Sequence, residues 1–264
     1  MPKHKKVVSS PDEFDADIFL QPAVALYAAP AQEYSGITPH AHRKGQLILS
    51  LHGAVSCEAQ NALWLVPPRH AVWIPGNTPH RCRVTNNART CFLFIEPGAA
   101  VMPETCCTIA VTSLVRELIL YLAEQEPSYS AGSKTARLAA VLLEQVPDAP
   151  VDALHLAISD HPKIKQMAET LFAVPGDRTT LQQWASRLAT SERSLARMVQ
   201  SETGMSFGRW RQQLHLMIAL NELAEGKSVQ NVAGALGYDS VSAFITMFRK
   251  ALGKSPTQYF ASLN

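Results

Sequence analysis

The sequence predicts an α+β protein in three parts: an N-terminal β-barrel, a helical middle segment and an all-α C-terminal domain. Three observations support this fold class. Short apolar runs broken by proline and glycine, roughly every 8–12 residues, fill the first hundred residues and are typical of a barrel or sandwich. A helical apolar period begins near residue 108, and an internal repeat occupies the last third of the chain.

The first part, residues 1–108, is predicted to form the barrel. Each apolar run is short enough for one strand, and the prolines between the runs suit turns and barrel edges. The seven predicted strands are 22–29, 45–51, 53–59, 62–68, 70–76, 81–85 and 90–96.

The middle part, residues 109–158, is predicted to be a helical linker. Leu114, Leu118, Tyr121 and Leu122 recur with helical spacing, and a second helix is predicted over 135–145. These helices could form a dimer interface between two copies of the chain. Alternatively, the first helix could pack on its own barrel.

Composition excludes several classes of protein. Of the 264 residues, 47% are hydrophobic and 17% charged, which favours a large core over long disorder. The five cysteines include no CxxC pair, so we expect reduced thiols in a cytoplasmic protein. Because the sequence contains no apolar run of about 18 residues, we expect no membrane partner.

The third part, residues 159–264, is basic and contains a repeat. Residues 161–264 hold 12 Lys+Arg against 7 Asp+Glu, which favours a polyanionic partner. The segment "LQQWASRLATSERSLARMVQSETGMS" (181–206) aligns with "VQNVAGALGYDSVSAFITMFRKALGKS" (229–255) when the second copy has one extra residue in its turn.

Each copy has the features of a helix-turn-helix unit. A small residue lies where two helices would cross, a serine precedes the second helix as its N-cap, and a glycine ends that helix. These residues are Ala185, Ser191 and Gly204 in the first copy, and Ala233, Ser240 and Gly253 in the second.

Two such units joined by a long helix resemble the DNA-binding domain of the AraC/XylS family of bacterial transcription regulators. The segment "GYDSVSAFITMFRKALGKSPTQY" (237–259) carries the most specific part of the resemblance, which covers about residues 160–260. It implies sequence-specific binding to double-stranded promoter DNA.

In the first unit, four residues are predicted to contact bases. Arg193, Ala196, Arg197 and Gln200 lie opposite the apolar face of the second helix. Arginine can hold guanine with two hydrogen bonds, and the family resemblance also implies base contacts at the first three. A solvated helix face with two ordinary arginines is the alternative.

The second unit offers Val241, Ser242 and Thr246 for base contact. None is a long bidentate donor, so this unit is expected to contact thymine methyls, respond to DNA shape or mainly position the domain. The predicted phosphate contacts are Ser191, Ser240, Arg249, Lys250 and Lys254, and plain surface charge is the alternative for the basic residues.

The barrel carries a candidate ligand site. "PHAHRKGQLILSLHG" (39–53) places His40 and His42 on one side of an extended segment, and "WIPGNTPH" (73–80) adds His80. Both segments resemble the motifs of the cupin barrel, in which Gln46 stands where the family has an acidic metal ligand. Arg43 and Lys44 are expected at the rim, where they could attract an anionic effector.

Three interpretations of this histidine set stay open. Three neutral imidazoles suit a divalent transition metal such as Zn²⁺, Ni²⁺ or Fe²⁺, which is the candidate cofactor. The site could instead be a metal-free pocket for an organic effector, or the histidines could be structural. Aromatic residues could line the cavity or belong to the core: Trp64, Trp73, Phe92 and Phe94.

The full-length resemblance is strongest to the NimR-like subgroup of the family. It implies a regulator that responds to a small molecule or metal, acts as a homodimer and controls an adjacent efflux-transporter gene. Such a protein would be cytoplasmic, nucleoid-associated when bound to DNA, with RNA polymerase as a candidate partner. The alternative is a cupin metalloenzyme, a dioxygenase or isomerase, with a DNA-binding appendage. The uncharged Gln46 and the two complete helix-turn-helix units favour a non-enzymatic regulator.

Overall fold

The computed structural model describes residues 7–8, 14–28, 38–52, 55–66, 70–84, 88–152 and 155–261. The chain divides into two compact units, residues 1–60 with 64–154 and residues 61–63 with 155–264. None of the described helices combines the length and the apolar character of a membrane span.

The N-terminal part is built from two β-sheets, which confirms the predicted β-rich domain. The larger sheet has the order β1-β2-β8-β3-β6-β9-β10, and the smaller one contains the neighbours β5-β4-β7. The strands are β1 (Val7–Val8), β2 (Ala23–Ala28), β3 (Gly45–His52), β4 (Val55–Ala59), β5 (Ala62–Val66), β6 (His70–Ile74), β7 (His80–Val84), β8 (Arg89–Ile95), β9 (Cys107–Ala110) and β10 (Val151–Asp152). Seven of them correspond to the predicted strands, whereas β1, β9 and β10 were not predicted.

The larger sheet is buried on both faces. Gln46 pairs with Phe94 and Leu47 with Leu93, and successive residues point to opposite faces. Leu47 and Leu93 pack into a core with two helices, α1 (Ser113–Ala123) and α2 (Lys134–Gln145), whereas Gln46 and Phe94 line a cavity. Burial on both faces explains why β3 and β8 are continuous apolar runs rather than alternating ones.

Helix α1 packs on the larger sheet, as one of the two sequence-based alternatives proposed. Its buried residues are Val115, Ile119, Leu122 and Ala123, while Leu114 is 53% exposed. The predicted apolar face was therefore wrong at Leu114. Apolar residues occupy two adjacent stripes of this helix. The sheet contacts the stripe that lies one residue later in the sequence than the predicted one.

The C-terminal unit is helical, which confirms the predicted all-α domain. After β11 (His155–Ala157) come α3 (Pro162–Ala173), α4 (Leu181–Arg187), α5 (Glu192–Thr203), α6 (Phe207–Ala224), α7 (Val229–Ala235), α8 (Val241–Leu252) and α9 (Pro256–Ala261). The pairs α4–α5 and α7–α8 are the two predicted helix-turn-helix units, and α6 joins them.

Candidate functional site

The second helix of each helix-turn-helix unit begins and ends as predicted. The Ser191 hydroxyl accepts a hydrogen bond from the Ser194 amide at the start of α5, and Ser240 does the same for the Ala243 amide at the start of α8. Both helices end at a glycine with left-handed backbone, Gly204 with φ of 70° and Gly253 with φ of 73°. These local signals fix where each helix can present side chains.

Helix α5 exposes the face that was predicted to meet DNA. Leu195 and Val199 are buried in the unit, whereas Arg193, Arg197 and Gln200 are exposed. Ala196 is partly buried between them. Within the part of the chain that the structure describes, neither arginine forms an ion pair, so both guanidinium groups keep their donors for a ligand.

Helix α8 exposes shorter and less polar side chains than α5 does. Ser242 and Thr246 are exposed and Val241 is partly exposed. The Thr246 hydroxyl donates to the Ser242 carbonyl oxygen at 2.9 Å, which engages the hydroxyl hydrogen within the helix. The predicted phosphate ligands Arg249, Lys250 and Lys254 are exposed near the end of α8 and just after it.

The barrel brings the three predicted histidines together. The backbones of His40 and His80 form a β-bridge with N–H···O distances of 3.0 and 2.9 Å. The Asn77 amide donates to the His42 carbonyl oxygen at 2.7 Å. In this turn a Cβ on Gly76 would lie 2.1 Å from the Arg43 carbonyl oxygen, so only glycine fits.

Each of the three imidazole rings forms a hydrogen bond to a backbone carbonyl oxygen. The Nδ1 atoms of His40, His42 and His80 face the carbonyl oxygens of Thr38, Lys44 and Thr78 respectively. Because a carbonyl oxygen only accepts, the Nδ1 atoms of His40 and His80 carry the proton and their Nε2 atoms keep a lone pair. The His42 ring faces acceptor oxygens at both nitrogens, the Lys44 carbonyl at Nδ1 and Gln46 Oε1 at Nε2. One ring nitrogen from each histidine lies within 4.8 Å of those of the other two.

The His80 ring is the most deeply buried of the three. Its Nε2 has no hydrogen-bond partner among the described residues. Burial lowers the pKa of His80 to about 4, which keeps the imidazole neutral near pH 7. A neutral ring nitrogen that is buried and unpartnered is suited to bind a metal ion or a ligand donor.

Gln46 lies beside the histidines. Its Oε1 is 3.2 Å from the His42 Nε2. Metal–ligand bonds of about 2.0–2.1 Å at tetrahedral angles place neighbouring ligand atoms about 3.3 Å apart, so this one distance is compatible with Gln46 as an additional donor. The three histidines could hold a divalent transition metal without the acidic residue of the cupin motif.

His40 and His42 line a cavity of about 410 Å³, and the His80 ring packs against both of them. The sequence analysis missed the residues of this wall that come from the N-terminal segment, because no local pattern marks them. The lining residues are Phe14, Asp15, Ala16, Thr38, His40, Ala41, His42, Gln46 and Phe94. Of the four aromatic candidates Phe94 lines the cavity, whereas Trp73 packs in the core and donates its Nε1–H to the Pro103 carbonyl oxygen.

The prediction that Lys44 lies at the rim of the cavity was wrong. Its side chain is fully buried, and its Nζ donates to Glu96 Oε2 at 2.6 Å and to the Gln21 carbonyl oxygen at 2.9 Å. The Asp17 carboxylate accepts from the backbone amides of Arg43 and Lys44 at 2.6 and 3.0 Å. Lys44 therefore neutralises a carboxylate inside the fold and offers no charge to an effector.

Comparison with known proteins assigns both units. Residues 184–262 match a helix-turn-helix domain, and residues 21–141 match the AraC-like ligand binding domain. The chain is 54% identical over 224 residues to the HTH-type transcriptional regulator NimR of Escherichia coli, an alignment that covers 85% of this chain and 82% of that protein. It is 24% identical over 218 residues to the RCS-specific HTH-type transcriptional activator RclR of Escherichia coli, covering 75% and 77% of the two chains.

Among solved structures, ToxT from Vibrio cholerae matches with a TM-score of 0.40 at 10% identity, covering 92% of this chain and 97% of that one. The relatives and the two matched domains are those of transcription regulators, which supports the regulatory interpretation over the enzymatic one. The chain belongs to the AraC/XylS family of transcription regulators, in the branch that contains NimR.

Proposed function

We propose that occupation of the barrel cavity changes the affinity of this regulator for its promoter. The observation that carries the proposal is the histidine cluster. One ring nitrogen from each of the three histidines lies within 4.8 Å of the other two, beside the Gln46 side chain, in a chain that also carries two helix-turn-helix units. In this arrangement α5 supplies direct base contacts through Arg193, Arg197 and Gln200, and α8 recognises a second stretch of the operator through thymine methyls or DNA shape.

The test begins with selection of a DNA site from a random pool by the full-length protein. Affinity for the selected site is then measured by fluorescence anisotropy with the protein as purified, after chelation and after addition of Zn²⁺ or Ni²⁺. A selected site whose affinity changes with the metal supports the proposal. A selected site whose affinity is indifferent to every metal points to an organic effector, which a ligand screen on the same DNA then identifies.

We further propose that the cavity ligand includes a divalent transition metal held by His40, His42 and His80, with Gln46 as fourth donor. Metal content is measured on full-length protein purified without a His-tag or chelator. The expected result is close to one metal ion per chain, lost in the His40→Ala/His42→Ala/His80→Ala variant. The matched control is His52→Ala, since His52 is exposed at the end of β3 and lies outside the cluster. No metal in the folded wild-type protein would overturn the metal proposal.

The remaining parts of the proposal concern assembly and target. The chain acts in the cytoplasm as a homodimer, engages RNA polymerase at the promoter and controls an adjacent efflux-transporter gene. The choice of a neighbouring gene as the first target to test rests on the resemblance of the sequence to the NimR-like subgroup. Footprinting on the intergenic DNA beside the gene, with sedimentation of the protein–DNA complex, tests both the target and the two-copy stoichiometry.

A further inference from the structure

Residues 174–180, between α3 and α4, contact the turn of the second helix-turn-helix unit although nearly sixty residues separate them in the chain. We propose that this bridging segment fixes the angle between α5 and α8 and so selects the number of base pairs between the two operator stretches that these helices contact. The inference rests on the proposed binding of promoter DNA by both units.

Two glycine backbones meet at the centre of this contact. A Cβ on Gly176 would lie 2.8 Å from the Ala235 carbonyl oxygen, and a Cβ on Gly237 would lie 2.8 Å from the Gly176 carbonyl oxygen. Gly237 also has φ of 74°, in the turn between α7 and α8. Backbone packed directly on backbone leaves no room for a side chain at either glycine, so a Cβ at Gly176 would push the two segments apart.

Arginine side chains hold the bridging segment on both sides. Arg178 Nη2 donates to the Gly237 carbonyl oxygen and to Asp239 Oδ1, the latter at 2.6 Å. From α6, Arg211 donates to the carbonyl oxygens of Asp177 and Thr179. The segment is thus tied to the connecting helix and to the turn that precedes α8.

His215 of α6 belongs to the same hydrogen-bond network between the bridging segment and the second helix-turn-helix unit. Its Nε2 faces the Pro175 carbonyl oxygen at 3.1 Å and therefore donates, which leaves Nδ1 to accept from the Tyr238 hydroxyl at 3.3 Å. Burial and the charge of Arg211 lower the pKa of His215 to about 4, so the neutral ring keeps both roles near pH 7. The Tyr238 ring in turn packs edge-on against Phe244 of α8.

The bridging segment leads directly into the first helix-turn-helix unit. Thr180 is its last residue and the N-cap of α4, where it forms a capping box with Gln183. A change at Gly176 is therefore transmitted to α4 and α5 on one side and to α8 on the other. One base pair of DNA corresponds to about 3.4 Å of rise and about 35° of rotation. If the contact between the bridging segment and the turn is weakened, the angle between α5 and α8 changes and a different number of base pairs between the two stretches fits.

The experiment measures spacing preference on a selected operator. Footprinting of the wild-type protein defines the two contacted stretches. Four duplexes are then made, one with the original spacing between these stretches, one with a base pair deleted there, and two with one or two base pairs inserted there. Kd is measured by anisotropy for the wild type, Gly176→Ala and Arg178→Ala. The matched control is Gly234→Ala in α7, where an added Cβ would meet nothing within 4 Å.

We expect wild type and Gly234→Ala to lose about tenfold in affinity for each base pair of altered spacing, comparable to a mismatched base pair. Gly176→Ala and Arg178→Ala should lose less than about threefold, or prefer a spacing changed by one base pair. All four proteins should bind a half-operator with the first stretch alone equally well.

Unchanged spacing profiles in both folded variants would overturn the inference. If Gly176→Ala does not fold, the double variant Arg178→Ala/Asp239→Ala decides, because both side chains are exposed and leave no cavity. Failure of the wild type to select any operator would overturn the proposed function itself. That outcome differs from a selected operator on which both variants keep the wild-type spacing profile, which overturns only the inference.

Discussion

Arg193 and Arg197 lie one helical turn apart on α5, both exposed and both outside any ion pair among the described residues. Their position predicts that each contributes base contacts rather than stability. Arg193→Ala or Arg197→Ala should weaken binding to the selected operator by about 10- to 100-fold, since a bidentate arginine–guanine pair is worth about 1–3 kcal/mol of discrimination. Affinity for unrelated DNA should fall far less.

The matched control for this pair is Lys165→Ala, which removes one exposed positive charge from α3. Titrations of operator and random duplex at one fixed salt concentration separate the two kinds of contact. An equal loss on both duplexes would assign the arginines to phosphate contact or surface charge instead of base recognition.

At the level of secondary-structure elements, α1 shows how packing selects one face of a helix. Ile119 is fully buried in the core between α1, α2 and the larger sheet, whereas Leu114 on the same helix is 53% exposed. Ile119→Ala should lower the free energy of unfolding by about 2–5 kcal/mol, because it leaves a cavity that the sheet cannot fill.

Leu114→Ala is the control on the same helix and should change the free energy of unfolding by at most about 0.5 kcal/mol. Urea unfolding followed by circular dichroism, at protein concentrations low enough to exclude association, measures both. A Leu114→Ala cost as large as that of Ile119→Ala would contradict the packing of α1 on its own sheet.

At the scale of the whole molecule, the fold buries all five cysteines as free thiols. Cys57 and Cys82 lie opposite each other on β4 and β7, and burial together with this contact raises the pKa of the Cys57 thiol. Burial also raises the pKa values of the Cys91, Cys106 and Cys107 thiols. Lack of access should make all five unreactive in the native protein, and scarce thiolate adds to this at the four thiols whose pKa is raised.

A chromogenic thiol reagent should therefore label the native protein at none of the five sites over the time in which denatured protein reacts at all five. Fewer than five reactive thiols in denatured, unreduced protein would reveal a disulfide, with Cys57 and Cys82 as the first pair to examine. Rapid labelling of native protein would contradict the buried placement of these residues.

Much of the architecture follows from local signals in the sequence. Seven of the strands and both helix-turn-helix units were predictable because apolar periods, serine N-caps such as Ser191 and Ser240, and C-terminal glycines act within a few residues. The histidine cluster was predictable for a similar reason, since His40 and His42 are two apart and the turn before His80 carries its own glycine and prolines.

Contacts between distant residues were decided only by the tertiary structure. The neutralisation of Lys44 by Glu96 and the cavity wall at Phe14 depend on distant segments that meet only after folding. The choice of buried stripe on α1 and the Gly176–Gly237 contact also depend on segments that are distant in the sequence. Sequence determines what each segment can form, because propensities and caps are local energies. Packing determines which faces meet, because the free energy of burial belongs to pairs of segments rather than to either one.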